Sequence, residues 1–315
     1  MYLLAENRKN RAEHGGDVGE EAEILQGIEV VLHFAGEHVP DVDGIHILGG
    51  IQKLCKENGL RYWVGGGTLI GALRHQGFIP WDDDIDVFMP RPDYEKFYKL
   101  WNQVGDLEHY ALCRTTREKN IHQTDMQLVD LTTTFINRHS VNEDILHGVS
   151  VDIMPFEGCP ENPIARGMQI YHSILYSIFN VQRLPDHQGG VLRFATSIVL
   201  NAVKDPAKRY KIWAKHEKKM AQYDFDSAKT VKETITSFRA LFYPHPRASF
   251  ETKEVPFEDI TVSIPVGADT YLRRIFGDYM QLPPEEGRVA KHDVVYANLN
   301  EPFEQYKGVY YCVKK

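Results

Sequence analysis

A chain of 315 residues, 43% hydrophobic and 25% charged, has the balance of an ordinary globular protein and enough length for one large domain or two small ones. Its formal net charge of -8 argues against general nucleic-acid binding. Four scattered cysteines, Cys55, Cys113, Cys159 and Cys312, make no C-x-x-C pair, so they read as reduced thiols and fit neither a disulfide framework nor a zinc site.

The opening M-Y-L-L-A-E-N-R-K-N lacks the apolar core of a secretory signal, and no run approaches the ~20 apolar residues of a membrane span. A cytoplasmic location, or a peripheral one at the inner face of the plasma membrane, is the expectation. Residues 1–21 are polar and read as a flexible leader. The apolar pattern of Ile24, Leu25, Ile28, Val31, Leu32 and Phe34 predicts a helix ending near Gly36. Pro40-Asp41 then predicts a break, with Asp43 capping a helix over 44–58 that stops at Gly59. Its face of Ile47, Leu48, Ile51 and Leu54 is expected to pack on a sheet.

The most informative stretch runs from Trp63 to Met89. It reads as a strand, the glycine turn Gly65-Gly66-Gly67, a short helix capped by Thr68, and a second strand opening with carboxylates. Strand alternation puts Ile85, Val87 and Met89 on one face and Asp82, Asp84 and Asp86 on the other. Acids roughly 6–7 Å apart on one face repel unless a cation bridges them, and hard divalent cations suit carboxylate oxygen. The helix start offers free N–H groups to a phosphate, and glycines allow backbone to approach a ligand closely. Neither the G-x-x-x-x-G-K-[ST] loop nor the G-x-G-x-x-G spacing is present.

Downstream, Pro90-Arg91-Pro92 ends the acidic strand and Asp93 is expected to cap a helix through Trp101, with Tyr94, Phe97, Tyr98 and Trp101 on one side. Residues 108–138 read as strands. The run His147 to Pro155 alternates Val149, Val151 and Ile153 with Ser150 and Asp152, a half-buried strand with one acid on its open face. From Pro160 to about Lys229 the pattern is helical: one stripe is Met168, Tyr171, Ile174, Leu175, Ile178 and Val181, and another includes Leu192, Phe194, Ile198 and Val199. Both are expected to pack within a helical subdomain. A third helix opens with the cap Asp205-Pro206 and carries Lys208, Arg209, Lys211, Lys215, Lys218 and Lys219, a solvated face or an attraction for an anionic acceptor or membrane. The tail from Val255 to His292 reads as a strand pair, a helix ended by Gly277 and a double-proline turn. No role is assigned to Arg288, Lys291 or His292 there.

The run G-G-T-L-I-G-A-L-R-H-Q-G-F-I-P-W-D-D-D-I-D-V resembles the signature of the LicD family, the phosphocholine transferases of bacterial cell-surface polymers, with fukutin-type ribitol-phosphate transferases as animal relatives. The resemblance covers about residues 45–155 and 250–292 and is most specific at 66–89. It implies an α+β fold, a nucleotidyltransferase-like mixed sheet with flanking helices. The core would span 22–159, a helical subdomain 160–230, and a C-terminal segment 231–315 would pack back on the core.

Residue by residue, the resemblance implies catalytic and metal-binding roles for Asp84, Asp86 and Asp152. It implies a phosphate or nucleotide contact at Gly66, Gly67 and Thr68; Arg74, just past the short helix, is a further candidate. Asp130 and Thr133 also match but read as structural residues. The implied reaction moves phosphocholine from CDP-choline to a hydroxyl of a lipid-linked glycan precursor, of teichoic acid or lipopolysaccharide type, using magnesium or manganese and releasing CMP. Ribitol or glycerol phosphate as the transferred group, a nucleotidyltransferase, a D-x-D glycosyltransferase and a silent binding module remain alternatives.

Overall fold

The computed structural model describes residues 39–183, 190–237, 239–290 and 292–314. The leader and the helix expected over 22–38 lie outside the described residues, as does Lys291. The first helix, α1, is Val39–Asn58. It runs through Pro40-Asp41, where a break was expected, because proline in a first helical turn removes only an N–H that has no intrahelical acceptor. Ile47, Leu48 and Ile51 are buried as expected, and α1 lies against the central sheet.

The central sheet is mixed. Strand β1 (Trp63–Val64) pairs antiparallel with β2 (Asp86–Pro90), and β2 runs parallel to the ten-residue β6 (Ser150–Cys159). On its other edge, β6 pairs first with β4 (Met126–Asp130), which carries β3 (Tyr110–Cys113) outside it. Further along the same edge β6 pairs with β7 (Thr230–Glu233), which pairs with β8 (His245–Pro246). Strands β7 and β8, which follow the helical segment in sequence, are thus integral to this sheet. A second small sheet joins β5 (Thr134–Asn137) to β11 (Val294–Asn298), closing a satellite core of Ile136, Phe303 and Tyr311.

Helix α2 (Gly66–Arg74) connects β1 to the acidic loop, and α3 (Arg91–Val104) follows β2 directly. Asp93 does not cap α3; the cap position is Pro90, and the Asp93 carboxylate accepts from Arg61 Nε at 2.7 Å. Tyr94, Phe97 and Trp101 are buried as expected.

Three helices make up the segment after β6: α4 (Pro163–Val181), α5 (Gly190–Ala202) and α6 (Pro206–Met220). Asp205 caps α6 as its sequence predicts, accepting from Ala207 N–H at 2.9 Å. The apolar stripes are only partly the packed faces: Leu175, Ile178 and Val199 pack against the core. Met168, Tyr171, Phe194 and Ile198 are exposed, while α4 buries Gln169, Ser173, Tyr176, Phe179 and Asn180. Polar groups tolerate that burial because they are bonded: Gln169 Nε2 donates to Gly158 O and Met220 O, both at 2.9 Å. Among the described residues no helix is long and apolar enough to cross a membrane.

The expected strand pair is β9 (Thr252–Phe257) and β10 (Ile260–Pro265), antiparallel and packed on β1 and α2. Helix α7 (Ala268–Phe276) follows and ends at Gly277. The α+β expectation is met by this mixed sheet with seven helices among the described residues.

Candidate active site

The parallel register of β2 and β6 sets Asp86 directly opposite Asp152. Residues opposite each other in adjacent strands present side chains to the same face, so two carboxylates from distant parts of the chain are neighbours. Gln127 of β4 stands opposite Asp152 on the other side, and its Nε2 donates to Asp152 Oδ1 at 2.8 Å. Strand β2 begins only at Asp86, so Asp82 and Asp84 belong to the loop before it, and the expected run of strand acids is shorter than predicted. The Asp84 charge nevertheless reaches both Asp86 and Asp152 and raises the proton affinity of each.

The glycine turn meets these acids. Gly65 N–H donates to Asp86 O at 2.9 Å, tying the turn to the start of β2. Gly66 has a φ of +48°, and a Cβ there would lie 1.9 Å from Asp86 Oδ2. A Cβ on Gly67 would lie 2.0 Å from Asp82 Oδ2. Only bare backbone permits carboxylates to sit this close to the N-terminus of α2, where free amides and the helix dipole favour negative charge.

Thr68 is not the N-cap. Gly65 holds that position without a side-chain bond, and Thr68 is buried in the first turn, its Oγ1 accepting from Asp86 N–H at 3.0 Å. It fixes the strand that carries the acid. Arg74, at the far end of α2, donates from Nη1 to Tyr279 O at 2.6 Å and lies over the Trp81 ring. The Asp82 charge acts on it as well. Asp130 and Thr133 serve the turn after β4: Asp130 Oδ1 accepts from Thr132 N–H, and Thr133 Oγ1 accepts from Val149 N–H.

Electrostatics mark this face as charge-crowded. Asp86 is pushed well above the usual carboxylate range, first by removal from water and then by the charges of Asp84, Asp152, Asp82 and Asp125. Burial lifts Asp152 to about 6, opposed by the Gln127 hydrogen bond. Asp125 is a fourth acid that pattern reading missed. It lies two residues before Gln127, is buried, has Oδ2 without a partner, and is raised by desolvation and by Asp152. Its alternation with Gln127 and Val129 was the available signal.

His292, given no role from sequence, is the cation that faces the cluster. Its Nδ1 bonds Asp83 Oδ1 at 2.8 Å, and its pKa rises to about 9 through that bond and the charges of Asp83, Asp84 and Asp152. Asp83, Asp84, Asp152, Gln127 and His292 line one wall of a cleft that continues to Asn137 and His139. Among the described residues no three His, Cys, Asp or Glu side chains are already gathered at metal-ligand spacing. The carboxylates share a face without closing on a common point.

Comparison with known proteins meets the same stretch. Residues 59–173 match the family described as LicD/FKTN/FKRP, nucleotidyltransferase domain. That match takes in the glycine turn, α2, β2 and β6, and so every candidate acid named above, while His292 lies outside it. Over 259 residues the chain is 28% identical to the lipopolysaccharide cholinephosphotransferase LicD of Haemophilus influenzae, covering 79% of this chain and 92% of that one. A 29-residue segment is 59% identical to the ribitol 5-phosphate transferase FKRP of Homo sapiens, 9% of this chain and 6% of that one. A third match, 39% over 57 residues, is to mannosyltransferase regulator 4 of Saccharomyces cerevisiae, and covers 18% of this chain and 5% of that one. The LicD likeness thus runs well beyond the domain, into the helices and the C-terminal segment.

Proposed function

We propose that this chain transfers phosphocholine from CDP-choline to a hydroxyl of a cell-surface glycan precursor, releasing CMP. The observation that carries the reading is the register of Asp86 against Asp152 beside the bare Gly66-Gly67 backbone, within a LicD-family domain. Phospho-alcohol transfer to glycans is common to the two transferases it resembles, and the longer match is to the cholinephosphotransferase.

The acids fit a divalent cation: the donor set is carboxylate oxygen, and the burial and the Asp84 charge that raise both Asp86 and Asp152 are what a cation offsets. Magnesium or manganese held by Asp84, Asp86 and Asp152 would neutralise the donor diphosphate and the departing CMP. The α2 N-terminal amides of Gly66 and Gly67 hold a phosphate oxygen in place of the carboxylates that now approach them. The acceptor hydroxyl oxygen bonds to the choline-bearing phosphorus as the bond from that phosphorus to the CMP oxygen breaks. Asp152, whose proton affinity is raised towards neutrality, accepts the hydroxyl proton. Positioning and charge stabilisation supply most of the acceleration, since the protein forms no covalent bond.

The test is incubation of the purified chain with lipid-linked glycan acceptor and, in separate reactions, CDP-choline, CDP-ribitol, CDP-glycerol and CTP, with and without chelator. CMP release from CDP-choline, dependent on acceptor and abolished by chelator, is expected. Release from CDP-ribitol or CDP-glycerol alone would reassign the alcohol. Pyrophosphate release from CTP would favour nucleotide transfer, the chemistry in the name of the matching domain.

A further inference from the structure

Against Asp86 lies a second cavity, of about 260 Å³, lined by Gly66, Asp86, Phe88, Met154, Glu233, Thr236, Ser237, Tyr271, Ile275 and Phe276. It therefore opens onto the glycine turn and the acid at the centre of the candidate site. Its elements come from the first strands, from β7 and from α7, which is why no single stretch of sequence announces it.

The chemistry of its walls is unusual. Phe88, Met154, Ile275 and Phe276 offer only apolar surface. Apart from Asp86, the polar side chains of the wall are already engaged. Thr236 Oγ1 donates to Glu233 Oε2, Tyr271 OH donates to Glu233 Oε1, and Ser237 Oγ accepts from Ala240 N–H at 3.1 Å. Glu233 is 5% exposed, burial raises its proton affinity against the opposing hydrogen bonds from Thr236 and Tyr271, and it makes no ion pair with a basic side chain among the described residues. The neighbouring Lys232 leaves on the other face of β7, to Leu241 O. A buried carboxyl thus stands beside aromatic rings without a basic partner among the described residues, a group whose ionised form a bound cation would favour.

We propose that this cavity binds a quaternary ammonium group, the trimethylammonium head of the alcohol that the donor carries. The inference rests on the phosphocholine reading and names where its specificity resides. A quaternary ammonium is positive, apolar on its outer surface and devoid of N–H donors. It gains from the faces of Phe88, Tyr271 and Phe276 and from the Glu233 charge, and asks for no hydrogen bond. Ribitol or glycerol would surrender water to enter a wall that is largely apolar and whose hydroxyls are already bonded, and a primary ammonium, more strongly hydrated than a quaternary one, would lose more hydration there. The position suits the chemistry too, because Gly66 and Asp86 line both this cavity and the place proposed for the phosphate.

The experiment is a set of binding titrations on the full chain, independent of acceptor and turnover: tetramethylammonium chloride by ligand-observed NMR at constant ionic strength, and phosphocholine, phosphoethanolamine, glycerol phosphate and CMP by calorimetry. Phosphocholine is expected to bind about tenfold more tightly than phosphoethanolamine or glycerol phosphate. Glu233→Gln, which keeps the size and carbonyl acceptor of the side chain, is expected to weaken phosphocholine and tetramethylammonium about tenfold and CMP less than twofold. Phe276→Ala, at a position 48% exposed and so safe for folding, is expected to weaken the same two ligands about threefold to fivefold. Unchanged tetramethylammonium and phosphocholine affinities in both variants, or equal losses for CMP, would overturn the subsite even if CDP-choline proves to be the donor. A chain that binds tetramethylammonium through Glu233 but releases no CMP from CDP-choline would sink the transfer reading and leave the subsite standing.

Discussion

Asp86 of β2 and Asp152 of β6 are register partners in a parallel strand pair, 66 positions apart in sequence and side by side on one face. Gln127 completes the row from the antiparallel side. A sheet that collects acids in this way gives up stability for function, because like charges in a water-poor setting raise each other's proton affinity. Asp86→Asn should therefore do two opposite things. CMP release should fall by at least about 100-fold, and stability without divalent cation should rise by about 1–2 kcal/mol. Thermal unfolding of the wild type should shift upward with magnesium, and the shift should vanish in the variant. A variant as active as wild type, or one whose melting still responds fully to magnesium, would remove Asp86 from the site.

The Asp152 carboxyl gives a pH signature. Its folded pKa of about 6 lies above the 3.8 of the free group, so between those values the native state binds more protons than the unfolded chain. Stability contributed by this group falls as pH rises across that window, by about 3 kcal/mol in total. Urea unfolding at pH 4 to 7 with chelator should show the decline, and Asp152→Asn should flatten it. Removing the hydrogen bond with Gln127→Leu should extend the decline to higher pH. Magnesium, which competes with the proton, should move it to lower pH. Identical slopes in wild type and Asp152→Asn would contradict the assignment.

The glycine turn is tested by adding one carbon. Gly66→Ala forces an L side chain into a φ of +48° and sets its Cβ against the Asp86 carboxylate. A loss of about 1–2 kcal/mol and a larger loss of activity are expected. Ser is no better, whereas Asn, which tolerates the left-handed region, should recover part of the stability but not the activity. Circular dichroism melts and CMP release on the same samples separate the two effects.

How much of this was legible beforehand depends on whether the signal was local. The acid at 86, the alternation around Asp152, the Asp205 cap and the Gly277 stop are encoded within a few residues, and the structure has those elements where expected, with Asp84 in the loop just before the strand. Thr68 looked like a cap because caps are recognised by residue type, yet three preceding glycines allow the helix to start earlier and turn its hydroxyl to Asp86 N–H. The stripe of Met168 and Tyr171 misled for a related reason: α4 meets the end of β6 and α6 through Gln169, whose amide satisfies two carbonyls, so an apolar pattern did not mark the contact face. Asp125, His292 and Glu233 acquire meaning only from strands and tail segments brought together by the fold.

Arg91, at the first position of α3, ties that helix to the sheet. Its Nε donates to Glu157 Oε1 at 2.8 Å, and Nη1 reaches Glu95 Oε1 at 3.1 Å. Glu157 is fully buried, with Oε2 lacking a partner, so Arg91 is the charge that makes its burial tolerable. Arg91→Met should cost about 3–5 kcal/mol, since it strands that carboxylate. Adding Glu157→Met should return most of the loss, as paired removal avoids the unpaired charge. A double variant less stable than the single one, in equilibrium unfolding, would show that the pair contributes more than mutual neutralisation.

Lys232 presents the reverse case, a buried cation without a carboxylate partner among the described residues. Its side chain is inaccessible, Nζ donates to Leu241 O at 3.1 Å, and burial, helped by the Arg166 charge, lowers its pKa to about 8. The free group titrates at 10.5, so between pH 8 and 10.5 the unfolded chain binds more protons than the native state. Stability from this position therefore rises with pH through that window, and the penalty is greatest below pH 8. Lys232→Met should add about 1–3 kcal/mol at pH 7 and abolish the alkaline rise, with CMP release unchanged. If the variant is less stable than wild type at pH 7, the bond to Leu241 O outweighs the burial of charge, and the lysine is a structural clamp on the segment after β7.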